Sequence, residues 1–461
     1  MDLDIDKVKV LYKSYKSKYP YYLEIDKYYY GNTRSIDYIK PVPNRSNARI
    51  NTNFVQKLCD EEALYSFGNK VTYKAVNEEH KEALKHIDYY FKNNGANYDS
   101  ASGKSLVEFH LGYEIKYTNK NGEFKCKWVN PLQGDMYYNQ YDEKEFFMYV
   151  HNQKIYENNK EKFVDYMDIY DNKYVYYLDN NFKILDVKAH NMGSLPIRDG
   201  VIDDVRYTEE NGYIAGDKTI YRTIKSIQDA IEQNLSDITQ EITDFHNAIL
   251  KFYGIKLEDK KDKDGNIIYG ADGQPLKKEP IVKSNSTLYF GDKKTQDAEW
   301  LIKQINDSFI KNTRDDLKDL IYTLTSHIDN NEKMQSNLSG VALRSRLQSL
   351  EAKVKSNENA MEDIIRHRIK CLFHYLRLNN VGDFDENMID IIFTPCVPQD
   401  IATIADVIAK IPHEVVSHET KRSWIANIYG DLGNEQIKIN KENEASLPKT
   451  DLDREINNEE D

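Results

Sequence analysis

Between residues 217 and 378 the apolar positions recur at steps of three and four. In the run 217–254 they fall at Ile220, Ile224, Ile227, Ile231, Leu235, Ile238, Ile242, Phe245, Ile249 and Phe252, which places them on one stripe of a helix. Asp217 is the expected N-cap and Gly254 the C-terminal stop, so the rod would be about 55 Å long at 1.5 Å per residue. A second run, 299–328, repeats the pattern with Ile302, Ile305, Phe309, Leu317, Ile321, Leu324 and Ile328, and predicts a helix of about 45 Å. Between the two, Asp264-Gly265 and Asp272-Gly273 mark turns, with short apolar runs at 267–269 and 287–290. A polar break over 329–338 precedes a third run, expected to be capped by Ser339. It carries Leu343, Leu347, Leu350, Val354, Met361, Ile364, Ile365, Ile369, Leu372 and Leu376, interrupted by Asn357 where an apolar residue is due. That helix would be about 58 Å long. Helices of this length are only marginally stable alone. The first two are therefore expected to pair antiparallel, with a small β tip at the far end and neighbouring subunits covering what one chain cannot bury.

Elsewhere the pattern is shorter-ranged. Val8, Leu11, Tyr12 and Tyr15 have helical spacing, with Tyr19-Pro20 as a break and Gly31-Asn32 as a turn. A helix is expected over about 53–65, then a tight Gly68-Asn69 turn into a strand. A short helix over 78–94 would put Ala83, Leu84, Ile87, Tyr90 and Phe91 on one face. From 105 to 190 the period changes to two. Asn121-Gly122 is a hairpin signal, and the segments EFFMYVHN, KFVDYMDIYDN and KYVYYLDN read as strands rich in Tyr and Phe. Residues 191–216 read as a connector and 387–395 as one further strand. Two shorter helices follow, about 399–411 and 417–429, the second capped by Ser417. The tail 441–461 has 3 basic and 8 acidic residues, no aromatics, and the composition of a disordered segment.

Composition narrows the function. A chain of 461 residues with net charge −13 allows two or three domains and argues against a protein that grips nucleic acid over a broad basic surface, though not against one that surrounds it. No apolar run reaches the length of a membrane span, and the N-terminal residues have no signal-peptide core, so the chain is expected to be intracellular when made, with no membrane partner. Its 35 tyrosines, with many Lys, Asn and Ile, point to an AT-rich genome rather than to a chemistry. The cysteines at 59, 126, 371 and 396 lack zinc spacing and read as free thiols. SGKS at 102–105 ends like a phosphate-binding loop, but Tyr98 stands where that loop needs Gly; the plainer reading is a flexible loop. DKDGNIIYGADG approximates a calcium loop, with Lys260 and Ala271 where acids are needed, and reads as a solvated turn. HEVVSH at 413–418 spaces its histidines by five, not as a zinc protease requires. No catalytic residue, metal ligand set or cofactor is expected.

Several stretches, in order, resemble the phage portal proteins of tailed phages of Gram-positive bacteria. These are YYYGNTRS, NARINTNF and SFGNKVTY near the N-terminus, HLGYEIKYTNKNGEF, IKSIQDAIEQNLSDITQEITDFHNAILKFYG, NLSGVALRSRLQSLE, and IIFTPCVPQD with VVSHET. The set covers roughly 30–430; the match at 227–231 to the stem signature is loose, and the first 25 residues match nothing distinctive. The resemblance implies an α+β portal fold with long antiparallel stem helices, a small β clip, a mixed α/β wing with one very long helix, and a helical crown. It maps the wing to 1–216 and 339–394, the stem to 217–254 and 299–328, the clip to 255–298, a tunnel loop to 329–338, and the crown to 395–440, before the tail. It further implies a twelve-fold ring at one capsid vertex of the virion, assembled in the host cytoplasm. Double-stranded DNA would pass through it without sequence readout, and the partners would be the terminase large subunit, head-completion adaptors, and major capsid and scaffolding proteins. The tunnel-loop residues would be Asn330, Asn331, Glu332, Lys333, Met334, Gln335 and Ser336. Opposite charges predict stem contacts between Asp237, Glu241 and Asp244 on one helix and Lys303, Lys311, Arg314 and Lys318 on the other. Two alternatives stay open: a nucleotide-dependent enzyme using SGKS, and a structural scaffold without a channel.

Overall fold

The computed structural model describes residues 3–34, 47–157, 160–202, 206–208, 213–215, 217–244, 249–253, 257–278, 297–301, 307–329 and 340–395, with isolated positions beyond. The chain divides into two compact units, Met1–Pro395 and Cys396–Asp461. The expected helices 399–411 and 417–429, HEVVSH and the acidic tail belong to the second unit and lie outside the described residues, apart from isolated positions; there, Lys421 donates to the carbonyl of Ile411.

The first unit is α+β, with seven α-helices and five small antiparallel sheets among the described residues. Helix α1 (Ile5–Tyr29) is capped by Asp4, whose carboxylate accepts from the amides of Asp6 and Lys7. It runs through Pro20, which was expected to break it. Pro20 is exposed, so the carbonyl that loses its partner can be solvated, while Tyr15, Tyr22, Ile25 and Tyr28 bury the opposite face. Helix α2 (Phe54–Phe67) leads to β1 (Thr72–Ala75), which pairs with β14 (Ile389–Ile392). Helices α3 (Lys81–Lys92) and α4 (Tyr98–Phe109) follow. SGKS lies inside α4 rather than on a flexible loop. Ser102 and Gly103 are buried, and a Cβ on Gly103 would stand 2.2 Å from the Phe67 ring, so the glycine is what lets α2 and α4 approach. Such a site, inside a helix and not at a strand–loop–helix turn, cannot cradle a phosphate.

Two sheets carry the period-two region. β2 (Leu111–Thr118) is flanked by β3 (Phe124–Val129) and β9 (Ile197–Val201). The turn between β2 and β3 holds Gly122 at φ +79°, as the Asn-Gly signal requires. The second sheet runs β4 (Gly134–Tyr138), β5 (Lys144–Glu157), β6 (Lys160–Tyr170), β7 (Tyr174–Leu178), β8 (Ile184–Ala189) in order. The first half of α1 packs on it through Val8, Leu11 and Tyr15 against Met148, Met167 and Tyr176. The connector expected over 191–216 is partly sheet. Besides β9 it contains the hairpin of β10 (Arg206–Thr208) and β11 (Tyr213–Ala215), runs too short to show a period.

The long-helix region keeps its order but not its lengths. α5 (Ile220–Asp244) ends before the expected 254; β12 (Ile249–Tyr253) follows and pairs with β13 (Asp297–Leu301). α6 (Asp307–Thr325) therefore starts later than 299. In ILKFY the steps 245, 249 and 252 fit a helix, yet β-branched and aromatic residues favour a strand once a partner exists, and Leu250 stands opposite Trp300. The cap of α5 is Thr219, not Asp217: its hydroxyl accepts from Arg222 N–H at 3.2 Å, while Asp217 accepts from Thr219 N–H at 2.8 Å. α7 (Gly340–Leu378) is 39 residues long and supplies Met361, Ile364, Ile365, Ile369, Leu372 and Leu376 to the main core.

Candidate assembly and channel surfaces

The apolar stripe of α5 is half used within the chain. Ile220, Ile224 and Ile231 are buried in the main core, whereas Ile242 is exposed. The same helix buries polar groups. Gln228 accepts from Val55 N–H (3.1 Å) and donates to Glu232 (2.9 Å); Thr52 donates to Glu232 through N–H (3.1 Å) and hydroxyl (3.2 Å); Ser236 accepts from Ile50 N–H (2.9 Å). Tyr28 donates to Asp229 at 2.8 Å. Asp229 and Glu232, acids of the same helix as Asp237, Glu241 and Asp244, thus hold the chain's own N-terminal region.

α6 presents a different balance. Ile321 and Tyr322 are buried, and Lys57 donates to the Tyr322 hydroxyl at 2.7 Å. Phe309, Leu320 and Leu324 are exposed although steps of eleven and four put them close to one side of the helix. Of the stem residues singled out above, Asp237 is exposed, Arg314 pairs with Asp315 at 3.3 Å, and Lys318 pairs with Asp329, whose hydrogen bond pushes the ammonium up. Lys311 is exposed. Glu241 and Asp244 lie in the last turn of α5, their side chains outside the described residues, as are Lys303 and the whole of 330–336.

At the far end of the pair, residues 257–278 fold back on themselves through bridges Asp259–Lys277, Lys261–Ile267 and Tyr269–Pro275. Gly265 and Gly273 take φ +89° and +74° in the turns. Asp262 accepts from Asp264 and Asn266 N–H at 2.9 Å each, and the Asn266 amide leads the bonds that hold its carboxyl below the ordinary value. This acid is spent on its own turn. Leu257, Ile267, Tyr269 and Leu276 remain exposed.

The described titratable groups are structural. Arg368, 1% exposed, chelates Glu114 at 2.6–3.1 Å and reaches Asp99 at 2.7 Å, with Lys116 buried beside them. Burial opposes the Glu114 charge, but Arg368 and Lys116 outweigh it and hold the carboxyl low. Cys59, Cys126 and Cys371 are buried free thiols, and burial pushes all three up, so they are not nucleophiles; Cys396 is outside the described residues. Among the described residues no group of three or more His, Cys, Asp or Glu could hold a metal, and no helix is long and apolar enough to cross a membrane. Sequence reasoning missed one cluster. Asn357, noted only as a break in the α7 seam, donates to buried Glu62 of α2, with His327 and Lys353 close by. The polar residue in an apolar seam was its only local signal.

The described residues thus hold a helical pair with a β ribbon beyond it and with Leu320 and Leu324 exposed. The chain belongs to the SPP1 Gp6-like phage portal protein family, which it matches over residues 8–449. It is therefore a non-enzymatic component of the virion, at the head-to-tail connector through which DNA is packaged. Two solved structures are among those to which it is similar. One is a chain from the neck of an empty GTA particle computed with C6 symmetry, at 9% identity and TM-score 0.37, covering 81% of this chain and 90% of that one. The other is from the virion of a native gene transfer agent particle, at 10% identity and TM-score 0.38, covering 81% and 88%. No curated protein matches the chain.

Proposed function

We propose that twelve copies form a closed ring at one capsid vertex. Double-stranded DNA crosses the ring during packaging by the terminase large subunit and again at ejection. The family match over nearly the whole chain carries this reading, and the exposed Leu320 and Leu324 support it, since a head-to-tail ring supplies each helix with a neighbour. The wing corresponds to 1–216 with 339–394, the stem to the α5–α6 pair, the clip to 255–298 with its flanking ribbon, and the crown to 395–440. Adaptors and terminase dock on the clip; capsid and scaffolding proteins meet the wing. Asp237, Glu241 and Asp244 face Lys303, Lys311, Arg314 and Lys318 across subunits, where each exposed pair contributes about 0–1 kcal/mol and sets register more than stability.

Residues Asn330, Asn331, Glu332, Lys333, Met334, Gln335 and Ser336 form the DNA-facing loop of this ring. Their polar groups and cancelling charges can touch the backbone without holding it, whereas a ring of uncancelled lysines would bind through counterion release and resist sliding. Negative-stain electron microscopy of the purified protein tests the ring. Closed rings of about twelve subunits are expected, and a monomer at micromolar concentration across salt conditions would overturn the proposal.

A further inference from the structure

The stretches YYYGNTRS (28–35) and NARINTNF (47–54) are far from α5 in sequence but meet it in the fold. Gln228, Glu232 and Ser236 stand at steps of four along α5 and are 0%, 0% and 2% exposed. Each accepts a main-chain N–H from the same passing segment. Ile50 donates to Ser236 Oγ at 2.9 Å, Thr52 to Glu232 Oε1 at 3.1 Å, and Val55 to Gln228 Oε1 at 3.1 Å. The order is reversed between the two, so the segment runs antiparallel to the helix. A helical step of four rises about 6 Å and two residues of extended chain span about 6.6 Å, so the N–H groups of residues 50 and 52 meet acceptors on successive turns. Val55 lies in the first turn of α2, and its N–H is one of those a helix leaves without an acceptor of its own.

Side chains add what the main chain cannot. Thr52 Oγ1 donates to Glu232 Oε1 at 3.2 Å, Gln228 Nε2 donates to the same oxygen at 2.9 Å, and the Thr33 hydroxyl donates to Oε2. Tyr28 donates to Asp229, one position along from Gln228, at 2.8 Å. The Asn51 amide donates to the Gly31 carbonyl and joins the two stretches to each other. Main-chain N–H groups recur along the segment, so acceptors for them alone would fit it in more than one register. The Thr33 and Thr52 hydroxyls single out one register, and both converge on Glu232.

We propose that the two stretches form a strap that fixes α5 to the N-terminal region, and that Glu232 is the positioning residue that sets its register. The strap settles the roll of α5 about its own axis. That this roll decides which face of the stem meets a neighbouring copy rests on the portal reading; the strap itself does not. The contacts need acceptor atoms rather than charge. Glu232→Gln keeps an oxygen for Thr52 and Gln228, and the Thr33 hydroxyl can turn to accept from the new N–H. Glu232→Leu fills similar space and accepts nothing.

The test compares wild type, Glu232→Gln and Glu232→Leu as full-length protein. Amide hydrogen exchange is followed by mass spectrometry in peptides covering 48–55 and, as a control in β5, 144–150, and packaged DNA is measured with each variant as the portal. Losing a buried hydrogen bond corresponds to roughly tenfold in local opening. Exchange over 48–55 should be about tenfold faster or more in Glu232→Leu, with 144–150 unchanged, and at the wild-type rate in Glu232→Gln. Packaging should fall in Glu232→Leu and be kept in Glu232→Gln. Ser236→Ala removes a single acceptor and should speed exchange at Ile50 by a similar factor, which decides the matter if Glu232→Leu does not fold. Unchanged exchange in Ser236→Ala, equal loosening in Glu232→Gln, or loosening of 144–150 as much as 48–55 in Glu232→Leu would overturn the strap. A loosened strap with normal packaging would overturn the positioning role of Glu232. Wild-type protein that forms no ring would contradict the portal reading instead, and the exchange comparison would still decide the strap.

Discussion

Glu108, in the last turn of α4, is 8% exposed, and its Oε1 makes no hydrogen bond. Burial, then the nearby Asp26, push its pKa up to about 8, with Lys104 opposing and Asp60 adding. The folded value lies above the unfolded one, so the group favours the fold fully at pH below about 4.5, and that contribution is lost as pH rises toward 8. Thermal or urea unfolding from pH 5 to 9 should therefore show falling stability in the wild type. Glu108→Gln, fixed in the neutral shape, should flatten this fall and be more stable at pH 9 by about 1–3 kcal/mol. An unchanged pH profile would show that the carboxylate is accommodated by rearrangement. At the same scale, Gly103→Ala should cost about 1–3 kcal/mol because its Cβ meets the Phe67 ring. Phe67→Leu in combination should recover part of that loss, and a purely additive double mutant would contradict the contact.

Among the elements, α6 and the segment after it carry the functional expectations. Replacing Leu320 and Leu324 together by Asp alters side chains exposed in the single chain, so circular dichroism should stay unchanged. If a neighbour covers them, mass photometry should show assembly shifted by at least about tenfold in concentration, as burying two unpaired charges demands. Rings forming at wild-type concentration would place the interface elsewhere. Proline at Met334 or Gln335 should leave assembly intact and stop DNA packaging. Normal packaging yield, or a ring structure with 330–338 on the outer rim, would remove the channel assignment. α5 and α6 also show where periodicity stops being informative: at 249–253 and 299–301 it continued a helix into what is a two-stranded ribbon.

For the whole molecule, the region 255–298 is the part least able to stand alone. A two-stranded ribbon is marginal in water, and the tip at 257–278 leaves Leu257, Ile267, Tyr269 and Leu276 exposed. Replacing residues 255–296 with a short Gly/Ser linker should leave the main core folded and abolish docking of adaptor and terminase in a pull-down. Partners that still bind such a ring would show that they dock elsewhere.

Local spacing determined much of this protein by itself. The apolar steps in 217–378 announced three helices in the right order, the Asn-Gly and Asp-Gly turns sit where they were expected, and the ordered motifs led to the portal family. These features depend on residues within a few positions of each other, which is the range that propensity and periodicity can read. The tertiary structure decided the rest. Pro20 stays inside α1 because its ring faces solvent, Gly103 is a contact rather than a loop, and the strand at 249–253 exists because the backbone of 297–301 pairs with it. Glu62 and Asn357 are 295 positions apart and become one hydrogen bond only when α2 lies against α7. Partners so distant leave no periodic trace in the sequence, because what selects them is the packing of one helix against another.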